Sequence, residues 1–119
     1  MESNNNRAVE ASVNFLARKG YEILDRNWRS ADGQHIDIIA RDGDGIAFVA
    51  VTAKLSPQGF EEPTASRSSR ELAAAQWLTA KGGDLVDVPV RFDNIAMMVI
   101  SGNRAIMRHH INALGSLED

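Results

Sequence analysis

The stretch His35-Ile36-Asp37-Ile38-Ile39-Ala40-Arg41-Asp42-Gly43-Asp44-Gly45-Ile46-Ala47-Phe48-Val49-Ala50-Val51-Thr52-Ala53-Lys54 decides the fold. Residues 35–40 alternate in the two-residue period of a strand, with Ile36, Ile38 and Ala40 on one face and His35, Asp37 and Ile39 on the other. Asp42-Gly43-Asp44-Gly45 is a tight reversal, and residues 46–54 form a second strand, so the segment reads as a β-hairpin. If Arg41 and Ile46 close the reversal, paired residue numbers sum to about 87, which sets Asp37 opposite Ala50 and His35 opposite Thr52. His35, Asp37, Ala50, Thr52 and Lys54 then share one face.

Outward from the hairpin, residues 7–19 read as a helix through Val9, Val13, Leu16 and Ala17, stopped by Gly20. Residues 21–28 are strand-like and end in the turn Ala31-Asp32-Gly33-Gln34. Residues 55–63, with Pro57, Gly59 and Pro63, read as a loop. A helix over residues 66–81 follows, with Ser68 and Glu71 at capping-box spacing and Gly82-Gly83 as its end. Residues 86–100 form a long strand bent near Pro89 or Asp93; Ser101-Gly102-Asn103 then turns into a short strand at 105–108 and a tail. The order α-β-β-β-α-β-β predicts an α/β fold, a central mixed sheet flanked by helices. One domain over residues 1–119 is expected, with frayed ends at 1–6 and 115–119.

The composition fits a packed globular chain, since 44% hydrophobic and 24% charged residues lie near the average. The absence of cysteine excludes disulfides, thiolate metal sites and thiol nucleophiles, and suits a cytoplasmic protein. No apolar run is long enough to cross a bilayer, and the polar start is no signal peptide, so no membrane partner is expected. A net charge of −3 argues against coating nucleic acid by bulk charge and leaves room for a local basic face.

An aspartate facing a two-residue-spaced pair on the neighbouring strand is how metal-dependent nucleases build a site on a sheet. Five stretches carry a family likeness: Gly20-Tyr21-Glu22-Ile23-Leu24-Asp25-Arg26-Asn27-Trp28-Arg29, Ile36-Asp37-Ile38-Ile39-Ala40, Phe48-Val49-Ala50-Val51, Arg91-Phe92-Asp93 and Ile111-Asn112-Ala113. In this order they resemble the YraN-like family, small predicted endonucleases related to Holliday-junction resolvases within the PD-(D/E)xK nuclease superfamily. The likeness spans about residues 8–114 and implies a restriction-endonuclease-like core. It also implies a metal-dependent catalytic set, from which this chain departs. The family typically reads Gly-Glu-Ile-Asp before the reversal and Val-Glu-Val-Lys after it. Asp37 keeps the Asp, whereas His35 and Ala50 stand where Glu is expected and Thr52 where Lys is. The family's first-helix Glu falls at Val9, with Glu10 beside it.

The expectation is therefore a nuclease-fold protein with catalysis lost or strongly weakened that binds DNA or RNA, branched or single-stranded. Asp37 is the catalytic remnant and the candidate metal ligand; no cofactor is expected, and Mg²⁺ or Mn²⁺ only if catalysis is retained. Two alternatives stay open. One is an active endonuclease rebuilt from His35, Asp37, Lys54 and Glu10 or Glu61; the other is a protein-interaction or homodimer surface on the former active-site face. Lys54 has the right parity to replace the lost Lys, but stands about 6–7 Å further along the strand.

Arg67, Arg70 and Lys81, with Arg26 and Arg29, form either a phosphate-facing patch or a solvated charged face. Candidate nucleic-acid contacts are Arg67, Arg70, Arg29 and Lys54. Trp28, flanked by basic residues, reads as core before it reads as a base-stacking platform. His109-His110 reads as a tail pair without metal partners, Met97-Met98 as packing, and Gly43 and Gly45 as turn residues.

Overall fold

The computed structural model describes residues 4–55, 66–81, 89–101 and 104–113. The chain runs α1 (Asn4–Arg18), β1 (Glu22–Arg29), β2 (His35–Asp42), β3 (Gly45–Leu55), α2 (Arg67–Ala80), β4 (Val90–Ser101) and β5 (Arg104–His110). The five strands form one sheet in the order β1-β2-β3-β4-β5. Only β3 and β4 run parallel, and α2 stands between them in sequence, as a parallel crossover demands. The expected order and the mixed α/β sheet are both observed. Residues 4–6, expected as part of a frayed end, lie in α1. The first turn of a helix needs no intrahelical N–H partners, so a polar run can extend it.

The hairpin keeps the predicted register: Ile38 pairs with Val49, Ala40 with Ala47 and Asp42 with Gly45, each pair summing to 87. Gly43 takes φ 64°, a backbone region that favours glycine, so two residues suffice for the reversal. At Gly45 a Cβ would come within 3.3 Å of the Pro89 carbonyl, which also accepts from the Ile46 amide at 2.8 Å. The start of β3 is thereby drawn against the chain entering β4.

β3 is buried on both sides, as expected of a strand with helices on both faces. Ala47, Val49 and Val51 join Val9, Val13 and Leu16 of α1, while Ile46 and Phe48 join Ala73, Ala74 and Trp77 of α2. Each large aliphatic side chain so buried contributes roughly 1.5–3 kcal/mol.

Three sequence expectations fail for physical reasons. Ile36 does not share a face with Ile38 and Ala40; it packs with Ile39 and Trp28 on the α2 side. The break has a counterpart on β1, where Asn27 adopts φ 50° between Arg26, opposite Ile38, and Trp28, opposite Ile36. Arg26 reaches Glu10 of α1 while Trp28 packs toward α2, so the alternation changes face across this point. The cap of α2 is Ser66, whose Oγ accepts from the Ser69 amide at 3.1 Å; Ser68 lies inside the helix, and Glu71 faces Arg67 at 4.0 Å. His109 belongs to β5 rather than to a tail, because β4 pairs with the whole segment through His110. The proline-containing loop, Gly82-Gly83, the first residues of the long strand, Gly102-Asn103 and the chain ends lie outside the described residues.

Candidate functional site

A cleft of about 390 Å³ opens where β2 parts from β3 under the N-terminal half of α2. His35, Asp37, Ala50, Thr52, Ser69 and Arg70 contribute to its lining. The ordered β2–β3 pairing reaches Ile38 and Val49. Beyond it, Asp37 bridges the strands with its side chain: Oδ2 accepts from the Val51 amide at 2.8 Å. Its Oδ1 lies 3.5 Å from His35 Nδ1. Burial pushes the Asp37 carboxyl above its ordinary value, against the opposing pull of the Val51 amide, His35, Arg70 and Arg29.

Arg70 enters from the first turns of α2, where a half-buried guanidinium must find acceptors. Its Nη1 donates to Asn94 Oδ1 at 2.8 Å, and Nη2 donates to the carbonyls of Asp93 at 2.8 Å and Phe48 at 3.3 Å. The guanidinium also stands 5.6 Å from the centre of the Phe92 ring. Burial lowers its pKa, and the charges of Asp93 and Asp37 oppose that shift. The rim is tied down by Ser69, which donates to Gln34 Oε1 at 3.2 Å, and by Gln76, which donates to Asp32 at 2.9 Å. The β1–β2 turn and α2 are therefore joined as the two walls of the cleft.

The remaining candidates are dispersed. Arg29, exposed at the end of β1 beside His35, contributes its charge at Asp37. Lys54 is half-buried beside Met98 on β3 and does not line the cleft. Arg67 faces Glu71, Arg26 pairs with Glu10 at 2.7 Å, and Lys81 lies 3.7 Å from Asp25 and over the Trp77 ring. Carboxylates of α1, α2 and β1 thus draw three of the five basic residues, while Arg29 and Arg70 both act on Asp37. Glu61 lies outside the described residues. Among the described residues, no three His, Asp or Glu side chains gather closely enough to hold a metal ion. Asp37 is the one acidic side chain among the described residues lining the cleft.

A second polar cluster, on the α1 face, was not anticipated from sequence. Asp93 is fully buried, and its Oδ1 accepts from Arg91 Nε at 3.0 Å and the Asn112 amide at 2.8 Å. Its Oδ2 accepts from His109 Nε2 at 2.9 Å and Arg91 Nη2 at 3.2 Å. Arg91 also donates to Asp42 at 2.7 Å and to the Tyr21 hydroxyl at 2.6 Å. Lys19 Nζ stands 2.8 Å from His109 Nδ1, at the outer edge of the same cluster. Burial raises the Asp93 carboxyl, but its hydrogen bonds with His109, Arg91 and Asn112 outweigh this and hold it below the ordinary range. The available sequence signal is Arg91 and Asp93 at strand spacing, joined to a histidine on the closing strand.

The family model described as "Uncharacterised protein family UPF0102" matches residues 9–97, which include both polar clusters apart from His109 and Asn112. A UPF0102 protein of Geobacter sulfurreducens is 37% identical over 112 residues, covering 90% of this chain and 84% of that protein. A UPF0102 protein of Chloroflexus aurantiacus is 36% identical over 111 residues, covering 89% of this chain and 88% of its own length. One from Rhodococcus jostii is 35% identical over 105 residues, with 84% and 86% covered. By the extent of these matches, the chain belongs to the UPF0102 family.

Proposed function

We propose that this UPF0102 protein is a nuclease-fold protein that binds branched or single-stranded nucleic acid and has lost metal-dependent cleavage. The observation that carries the reading is the composition of the cleft: one carboxylate, Asp37, and one guanidinium, Arg70, with His35, Ala50 and Thr52 around them, while Arg29 acts on Asp37 from the end of β1. Mg²⁺ requires near-octahedral oxygen ligation and commonly takes carboxylates. An alanine and a threonine beside one aspartate do not fit it, and the Asp37 Oδ2 is already engaged by the Val51 amide. Attack on a phosphodiester would lack both the charge clamp and the lysine.

What supports binding is Arg70. Three of its five N–H groups are held by Asn94, Phe48 and Asp93. The guanidinium is thus pre-oriented, with N–H groups left for a phosphate oxygen. The negative charge of Asp37 is offset by His35, Arg70 and Arg29.

Fluorescence anisotropy with labelled four-way-junction, single-stranded and duplex DNA of equal length tests the reading. Junction or single-strand binding should weaken steeply with added salt, because phosphate contacts release counterions. Arg70→Ala should weaken it about tenfold, the size of one or two charge-assisted hydrogen bonds. No cleavage should follow on adding Mg²⁺ or Mn²⁺. Turnover abolished by Asp37→Ala would overturn the reading in favour of an active endonuclease, and absent or salt-insensitive binding would favour a protein-interaction surface.

A further inference from the structure

Arg70 and Asp93 meet through the backbone of β4 from opposite faces of the sheet. On the α1 face the Asp93 carboxylate is clamped by Arg91, His109 and the Asn112 amide. On the α2 face Arg70 takes the main-chain carbonyl of the same residue at 2.8 Å and the side chain of the next, Asn94, at 2.8 Å. A residue whose side chain is held from three directions has little freedom to rotate its own carbonyl. Its neighbour's side chain is aimed with it. We propose that Asp93 is a positioning residue for Arg70: the closed polar cluster under the sheet sets where the cleft's guanidinium stands.

The charges agree with this geometry. Burial pushes the Arg70 pKa down, and the Asp93 charge on the far face opposes it more strongly than the Asp37 charge does. Asp93 therefore acts on Arg70 by two routes, a fixed carbonyl and a through-sheet negative charge. A buried guanidinium held this way keeps its direction before any ligand arrives, which lowers the ordering cost of binding. That consequence rests on the nucleic-acid-binding reading. The placement of Arg70 does not, and it is tested without a ligand.

The Arg70 Nε–H resonance of the ¹⁵N-labelled protein is identified by its loss in Arg70→Lys. It should move or broaden, and exchange faster with water, in Asp93→Asn and in Asn94→Ala. Where Asp93→Asn unfolds, His109→Gln decides instead: it removes one clamp and should displace the same resonance by a smaller shift. Val13→Ala is the control, since it opens the α1-side core while removing no hydrogen bond of the Asp93 cluster, and it should leave the resonance in place. An unmoved resonance in the folded Asp93→Asn or His109→Gln variant overturns the proposal, as does an equal shift in the control. In the anisotropy assay, Arg70→Lys should cost about tenfold in the parent and less than about threefold in the Asp93→Asn or His109→Gln background. Equal penalties in both backgrounds overturn the coupling. Absence of binding by every variant would sink the nucleic-acid reading while the resonance still decides the positioning role.

Discussion

Asp37 and Asp93 lie on opposite faces of one sheet, and burial raises the pKa of each, yet they end in opposite states. Asp93 is wholly enclosed and held below the ordinary carboxylate range by hydrogen bonds with His109, Arg91 and Asn112. Asp37 stays raised because fewer hydrogen bonds reach its carboxylate: the Val51 amide donates one, while a histidine at 3.5 Å and two arginine charges act from further away. Hydrogen bonds to the carboxylate, and not the number of charges nearby, decide the sign. A fully satisfied carboxylate is a structural anchor, and a half-satisfied one at a cleft is where a ligand has something to offer.

The largest test of this contrast is Asp93→Asn. Breaking a buried ion pair from one side costs about 3–5 kcal/mol, because Arg91 and His109 keep their side of a network designed around a charge. Urea denaturation at neutral pH should show a loss of that order, and a loss under about 1 kcal/mol would mean the network is not an anchor. The pH dependence follows from the depressed pKa. The contribution of Asp93 is complete above the unfolded carboxylate value of about 3.9 and disappears as pH falls through its lower folded value. Asparagine at position 93 should flatten the acid limb of stability in that window.

Next in size is a rebuilt cleft. His35→Glu, Ala50→Glu and Thr52→Lys together place the expected family ligands around Asp37, at positions that line the same cleft. Mg²⁺ bound only to the folded state stabilises it by about 2.7 kcal/mol at one hundred times Kd. Thermal unfolding of the triple variant should shift upward with Mg²⁺, and the parent should not. A shift in the parent would show that the single carboxylate of the open face suffices, and would erase the contrast with Asp93.

How much of this was legible follows from which interactions are local. The hairpin register could be read because Gly43 and Gly45 mark a two-residue reversal and the flanking alternation tolerates no slip. Asp37, Ala50, Thr52 and Arg70 followed as candidates, and the structure lines one cleft with them. The face of Ile36 was not legible, because the alternation breaks in both strands at once, between Ile36 and Ile38 of β2 and at the left-handed Asn27 of β1. The Asp93 cluster was not legible either: His109 reaches it only once β5 pairs with β4 and sets Ile95 opposite His109. The strand expected at 105–108 stops one residue short of His109, so the pairing that carries it to Asp93 was out of view. The cap of α2 failed for a different reason, since Ser66, Ser68 and Ser69 crowd the helix start and only geometry selects among them.

That selection is itself testable, and it bears on the cleft side alone because α2 carries Arg70. Ser66→Ala should cost about 1 kcal/mol, the usual worth of an N-cap hydroxyl. Ser68→Ala, within the helix, should stay within about 0.5 kcal/mol. Equal costs in urea denaturation would return the cap to Ser68.

The smallest expected effect has the opposite sign. In Asp37→Asn the amide oxygen can still accept from Val51 N–H, so the bridge between β2 and β3 survives while the charge is removed. A carboxyl whose folded pKa is raised costs stability when ionised, and the cost is relieved as pH falls through that raised value toward the unfolded one. Asparagine should therefore stabilise the protein at neutral pH by about 0.5–1 kcal/mol, the gain usual when a functional site is relieved. The advantage should shrink as pH approaches 4, where aspartate itself takes up the proton. Urea midpoints of the two proteins at neutral and acid pH measure the difference. A variant destabilised at neutral pH would show that Asp37 is an anchor like Asp93, its charge already satisfied by Arg70 and Arg29, and that the cleft offers a ligand less than its composition suggests.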